Sequence, residues 1–165
     1  MLIEQPARWL RLFYPHALWR MNKNEHAVYI TFDDGPIPEA TPIILDILDE
    51  FDVKAMFFVV ADNAVKYPEL FEEIKRRGHM VGNHTYHHFG SFKHWTLSYA
   101  VDVTKADAIV KSPYFRPPHG ILRHTVYWWI KQHYRVVMWD LVTRDYSKYL
   151  TAEDVVNNVK RYVRN

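Results

Sequence analysis

Apolar and polar positions in this chain follow two periods that alternate. "AVYITFD" (27–33) is a short apolar run rich in β-branched and aromatic residues, the pattern of a buried strand. "PEATPIILDILDEF" (38–51) then sets Ile43, Ile44, Ile47, Leu48 and Phe51 at helical spacing. "VKAMFFVV" (53–60) reads as a second strand. "YPELFEEIKRRG" (67–78) carries the marks of a whole helix: Pro68 early, acids in the first turn, bases in the last and Gly78 as the stop. "HMVGN" (79–83) is a short third strand, and "TLSYAVDVTKADAIVK" (96–111) is the next helix. "YFRPP" (114–118) begins as a strand that its prolines end. "RHTVYWWIKQHY" (123–134) is helical and "RVVMWD" (135–140) a strand. "TAEDVVNNVKRYV" (151–163) is a last helix with Thr151 as its N-cap.

Strand alternating with helix five times predicts parallel pairing and right-handed crossovers, in an open doubly wound sheet or a (β/α) barrel. The polar residues that stand out fall just after predicted strands: Asp33 and Asp34, His84 and His88, Arg116, and Asp145. Carboxyl ends of strands are where α/β folds assemble their sites. Several such ends converging on one polar cluster suit a barrel mouth; an open sheet would gather its site at one switch point. The basic cluster from Arg8 to Arg20 is diluted by Trp9, Leu10, Leu12, Phe13 and Trp19. It reads as an amphipathic helix packed on the domain, with a membrane surface as the lesser alternative. Residues 1–25 are therefore expected to be an N-terminal segment, and 26–165 the domain proper.

Composition narrows the function classes. A chain of 165 residues suits one domain with a real core. A formal net charge of +2 without a block of like charges makes no case for nucleic acid. The absence of cysteine removes disulfides, thiolate metal sites and Cys nucleophiles together. No apolar run approaches bilayer length, and Arg8 and Arg11 interrupt any signal-peptide core. The cytoplasm is the default expectation; a secreted or surface-associated chain, its signal removed, stays open. Oligomeric state is not readable. The 6 Trp, 11 Tyr and 9 Phe suit a core or a sugar-lining groove equally.

Candidate chemistry begins with "GNHTYHH" (82–88). His84 and His88 are four apart; on one helical turn they share a face and can bind one metal ion. The spacing is that of the zincin pair, but Thr85 stands where that motif needs its glutamate base, so the zincin reading fails. The plain alternative is a His-rich surface loop. A catalytic metal site takes three protein ligands and an open position, so the pair needs a carboxylate. "FDDG" (32–35) offers two. Asp-Asp-Gly is also ordinary turn chemistry, but one Asp suffices for a turn. Successive strand residues point to opposite sides, so one Asp can ligate while the other acts on the attacking water as general base. "FRPPHG" (115–120) adds an arginine on a proline-stiffened backbone, suited to holding a carboxylate ionised, beside a backbone N–H suited to an oxyanion.

"TFDDG", "HTYHH", "RPPHG" and "WDLVTRDY" occur in the order and approximate spacing of the polysaccharide deacetylases, the NodB-homology or carbohydrate esterase family 4 proteins, which this chain resembles over about residues 28–150. The resemblance implies a distorted (β/α) barrel that uses Zn²⁺, Co²⁺ or another divalent ion to remove acetyl groups, most simply N-acetyl, from a chitin-like or peptidoglycan-like glycan. By similarity Asp33 is the catalytic base, and Asp34, His84 and His88 hold the metal. Thr85 steadies the loop between the histidines, and Arg116 pairs with Asp33. The backbone N–H of His119, next to Pro118, faces the oxyanion, and Asp145 orients a catalytic histidine.

The resemblance has departures. His119 stands where Tyr is usual, Tyr146 where Trp is usual, and Val142 where Asp often sits, which touches the substrate groove more than the metal site. The family's last motif, an apolar strand ending in Leu-x-His, follows the final helix, whereas this sequence ends at Asn165. The expectation is therefore a barrel truncated at its C-terminus, with a longer parent as the active form. The competing expectation is a non-catalytic carbohydrate- or metal-binding domain without the general-acid histidine.

Overall fold

Phe57, Phe58 and Val59 are 2%, 0% and 0% exposed. A run buried on both faces is what a central parallel strand demands. The computed structural model describes residues 4–7, 9–21 and 27–163. The chain divides into two units: Tyr29–Val136, and the described parts of 1–28 with 137–165. Its helices are α1 (Leu10–Phe13), α2 (Thr41–Glu50), α3 (Ala61–Lys66), α4 (Pro68–Arg76), α5 (Thr96–Val110), α6 (His124–His133) and α7 (Ala152–Tyr162). Its strands are β1 (Thr31–Asp33), β2 (Met56–Val59), β3 (Met80–Asn83), β4 (Tyr114–Phe115) and β5 (Arg135–Val136).

The five strands form one sheet in the order β1-β2-β3-β4-β5, every neighbouring pair parallel. Each crossover delivers the chain to the next strand on the same side, so the order never reverses. That is the winding of a (β/α) barrel and not of a doubly wound sheet. Register pairs Asp33 with Phe58, Val59 with Asn83, and Asn83 with Phe115. The carboxyl ends of β1, β3 and β4 are thereby level, which sets Asp34, His84 and Arg116 on one rim.

The main core joins Leu45 and Leu48 of α2, Phe57 and Val59 of β2, Phe71 and Ile74 of α4, and Ala106 and Val110 of α5. In α2 the sheet-facing residues are Thr41, Leu45 and Leu48, while Ile43, Ile47 and Phe51 are exposed. Apolar residues cover more than half the circumference of this helix, with Asp46, Asp49 and Glu50 on the rest, so spacing alone allowed more than one choice of buried positions. Helix α3 is absent from the periodic pattern because six residues with Asp62 and Asn63 among them carry too little apolar signal. Helix α4 stops as its sequence indicates, with Gly78 in the left-handed region at φ 81°.

Gly82 of β3 shapes the site from beneath. A Cβ there would lie 2.5 Å and 2.6 Å from two ring carbons of Phe58. The Phe58 ring in turn lies under the Arg116 guanidinium, 4.0 Å from its centroid. Gly82→Ala is expected to cost about 1–3 kcal/mol by overpacking, read by chemical denaturation, and to shift Arg116 with the ring. A variant of unchanged stability would contradict this.

In the second unit, Leu18 pairs in parallel with Val137, and Met138 N–H donates to the Leu18 carbonyl at 2.8 Å. Arg11 meets Asp140 at 2.8 Å and Arg144 meets Glu4 at 2.6 Å. Of the expected N-terminal segment, residues 1–3, Arg8 and 22–25 lie outside the described residues. Within the rest, the expected amphipathic helix is reduced to the single turn α1, whose Leu12 is 80% exposed. Isolated turns this short are not self-sustaining, and Pro6 and Pro15 flank it closely. Helix α7 begins at a capping box: Thr151 Oγ1 accepts from Asp154 N–H, and Thr151 N–H donates to the Asp154 carboxylate. No helix of the described residues is long and apolar enough to cross a membrane.

Candidate active site

Strand β1 ends at Asp33, and the chain turns at once. Asp34 adopts φ 71°, a left-handed conformation that an aspartate tolerates better than most residues. The two carboxylates are thus separated by a turn as well as by the strand alternation expected of them. Asn63 Nδ2 donates to the Asp34 carbonyl at 2.8 Å, and Val60 N–H to the Gly35 carbonyl at 3.0 Å. These bonds pin the turn to the segment that follows β2.

The histidine pair sits on a loop after β3 and not on a helical turn. Thr85 and His88 are left-handed at φ 68° and 57°, and these two reversals bring the rings together with centroids 5.1 Å apart. The spacing of four was informative for a different geometric reason than helical periodicity. His84 is buried and its Nδ1 lies 2.8 Å from the Arg116 carbonyl. A carbonyl only accepts, so Nδ1 carries a proton, which leaves Nε2 as the nitrogen able to bind a metal ion. That Nε2 lies 3.3 Å from Asp34 Oδ1, and His88 Nε2 lies 3.0 Å from the same oxygen. Each of these ring nitrogens needs a positive centre between it and the carboxylate oxygen, a hydrogen-bonding proton or, in its place, a metal ion. The three ligand atoms lie within 4.8 Å of one another, and the Asp34 side is open to solvent. Three protein donors with an open side, one histidine fixed by a carbonyl bond, fit a catalytic metal ion.

Electrostatics follow from this arrangement. Hydrogen bonds from His84 and then His88 hold the Asp34 carboxyl far below the usual range, against the opposing effect of burial. The bond to Asp34 raises the His88 imidazole above its ordinary value. In the metal-free protein the Asp34 contribution to stability is present above the ordinary carboxyl pKa and lost as pH falls through the depressed one. The His88 contribution is present below the ordinary imidazole pKa and lost as pH rises through the raised one. A divalent ion must displace the His88 proton. Affinity is therefore expected to climb about tenfold per pH unit until the raised His88 pKa is passed, and then level off. Co²⁺ titrations across roughly pH 5.5–8.5 read this, and a flat profile would contradict it.

Arg116 is 3% exposed and donates through Nη1 to Asp33 Oδ1 and to Thr31 Oγ1, both at 2.7 Å. Burial pulls the guanidinium pKa down and the Asp33 charge opposes it. The one residue thus serves the site twice: its side chain holds Asp33, and its carbonyl holds His84. His119 is left-handed at φ 60° in the turn Pro118–Gly120, with its ring 4.9 Å from that of His88. Pro118 is buried beside it. The described residues of the first unit thus bring together Asp33, Asp34, His84, Thr85, His88, Arg116, Pro118 and His119. Asp145 and Tyr146 belong to the second unit, where Asp145 accepts from Thr143 Oγ1 at 2.8 Å and Tyr146 is exposed.

Sequence reasoning missed the supports. Asn63, Thr31 and Phe58 carry no signature of their own. Asn83, at the end of β3, and Asp102, on α5, do. Asp102 stands in the buried stripe Tyr99, Asp102, Val103, Ala106, Val110, and an acid in such a stripe needs an explanation.

The comparisons with known proteins bear on this geometry. Residues 20–137 match the family model described as polysaccharide deacetylase. The chain belongs to the polysaccharide deacetylase family. A Bacillus cereus peptidoglycan-N-acetylglucosamine deacetylase is 39% identical over 143 residues, covering 82% of this chain and 52% of that protein. Chitin deacetylase 1 of Saccharomyces cerevisiae is 37% identical over 131 residues, covering 75% of this chain and 42% of that protein. The chain thus spans about half the length of these polysaccharide deacetylases. A solved peptidoglycan N-acetylglucosamine deacetylase superposes with a TM-score of 0.85 at 33% identity, covering 96% of this chain and 76% of that one. The barrel winding found here is therefore that of the family's fold.

Proposed function

We propose that this chain is a metal-dependent deacetylase that hydrolyses N-acetyl groups, the C–N bonds of linear amides, on a chitin-like or peptidoglycan-like glycan. The observation that carries the reading is the convergence of Asp34, His84 and His88 on one point, with the Asp33–Arg116 pair adjoining. The names of the Bacillus cereus and yeast relatives support the substrate class. The His₂Asp donor set suits Zn²⁺, and Co²⁺ satisfies the same donors.

The chemistry supplied by a bound ion is Lewis-acid polarisation of the acetyl carbonyl and acidification of water. Asp33, held by Arg116, takes the proton from the attacking water. The His119 backbone N–H donates to the developing oxyanion. Thr85 steadies the loop between the histidines. Pro118 and the His119 ring are assigned to sugar contact. For Asp145 and Tyr146 the family resemblance alone supports their roles, the orientation of a general acid and a sugar contact.

Acetate release from a panel of chitin- and peptidoglycan-derived oligosaccharides, with and without Zn²⁺ or Co²⁺, tests this. Metal-dependent release abolished by a chelator is the expected result. Sugar and metal binding without acetate from any substrate would instead support a non-catalytic binding domain.

A further inference from the structure

Three successive backbone amides of the His84–His88 loop are taken up by side chains from outside it. Thr85 N–H donates to Asn83 Oδ1 at 2.8 Å. Tyr86 and His87 N–H donate to the same Asp102 oxygen, Oδ2, at 3.0 Å and 3.1 Å. The other Asp102 oxygen meets His87 Nδ1 at 2.5 Å. Asn83 is itself anchored, its Nδ2 donating to the Val103 carbonyl on the same turn of α5 as Asp102. Asn83 is 0% exposed and Asp102 4%. A carboxylate this buried is tolerated only where donors converge on it, and here they come chiefly from the metal loop.

The geometry points to Asp102 as the positioning residue for the metal ligand His88. Beyond the left-handed Thr85, the Tyr86 and His87 N–H groups meet the Asp102 carboxylate of α5, while the Thr85 N–H turns back to the Asn83 side chain at the end of β3. Asp102 accepts two of the three and so sets the direction in which the chain enters His88. His87, whose ring is turned to Asp102, is the second half of the same clamp. The metal-holding loop is thereby referenced to a fifteen-residue helix packed against β3, rather than to the loop itself. A ligand carried on a rigid support keeps its geometry before any ion arrives. The inference rests on the metal reading of Asp34, His84 and His88.

Co²⁺ binding to the metal-free full chain tests it, by affinity and by the visible absorption spectrum. Asp102→Asn keeps an acceptor for the two amides and an amide facing His87, so its affinity is expected within about threefold of the parent. Asp102→Ala is expected to lose roughly 10–100-fold, the scale seen when groups orienting metal ligands are removed, with an altered Co²⁺ spectrum. Val110→Ala, which opens the core at the far end of the same helix, controls for stability: it is expected to destabilise without moving the affinity or spectrum. Equal affinity in Asp102→Ala and the parent overturns the inference, as does a loss in Val110→Ala matching that in Asp102→Ala. Should Asp102→Ala not fold, Asp102→Glu replaces it. Its extra methylene displaces the carboxylate, and a Glu variant as tight as the Asn variant overturns the inference. A parent chain that binds no Co²⁺ defeats the metal reading itself, and the inference with it, an outcome distinct from failure among the variants.

Discussion

Replacing Asp34 by Ala is expected to abolish divalent-ion binding and to lower acetate release by roughly 10³-fold or more, the scale of the several kcal/mol a metal contributes to such a transition state. Asp34 Oδ1 is the atom on which both histidine Nε2 atoms converge, at 3.3 Å and 3.0 Å. Without it His84 and His88 retain no shared anion, and a two-histidine site has lost a third of its donors. The thermal readout separates this from general damage. At a Co²⁺ concentration 100 times its dissociation constant the parent should gain about 2.7 kcal/mol of stability; the variant should gain nothing. A variant that still shifts with Co²⁺ would remove Asp34 from the metal site.

Asp33→Asn is expected to lower acetate release by about 10²–10⁴-fold, the range for a lost general base, while Co²⁺ affinity stays within a few-fold. The Asn oxygen can still accept from Arg116, so the local geometry is kept and the proton acceptor is lost. Arg116→Met sharpens the comparison. It removes the side-chain bonds to Asp33 and Thr31 but leaves the backbone carbonyl that orients His84. Activity should fall with metal affinity preserved. If Co²⁺ binding collapses in either variant, the separation of roles between the adjacent aspartates is wrong.

Much of this arrangement is legible without coordinates. Pro68 and Gly78 frame α4, and Thr151 caps α7, because terminal backbone groups need particular residues whatever the tertiary context. The clustering of Asp33, Asp34, His84 and Arg116 after strands is also readable, since parallel strands deliver their carboxyl ends to one rim. The face that α2 buries was not: with apolar residues over more than half of its circumference, the choice of Leu45 and Leu48 belongs to the packing partners. The approach of His88 to Asp34 was legible in its outcome and misread in its cause. Spacing suggested a helical turn, and the chain uses left-handed residues at Thr85 and His88.

The sequence by itself determined the alternation of strand and helix, the choice of donors and their order along the chain. Those properties live in local propensity, periodicity and residue chemistry. Only the tertiary structure decided which donors meet, that one arginine serves Asp33 and His84 through different atoms, and that a buried acid on α5 accepts from the metal loop. The physical reason is sequence separation. Arg116 and Asp33 are 83 residues apart, and Asp102 and His87 are 15 apart. No periodic pattern encodes such contacts; they exist because strand register and helix packing bring the backbone there.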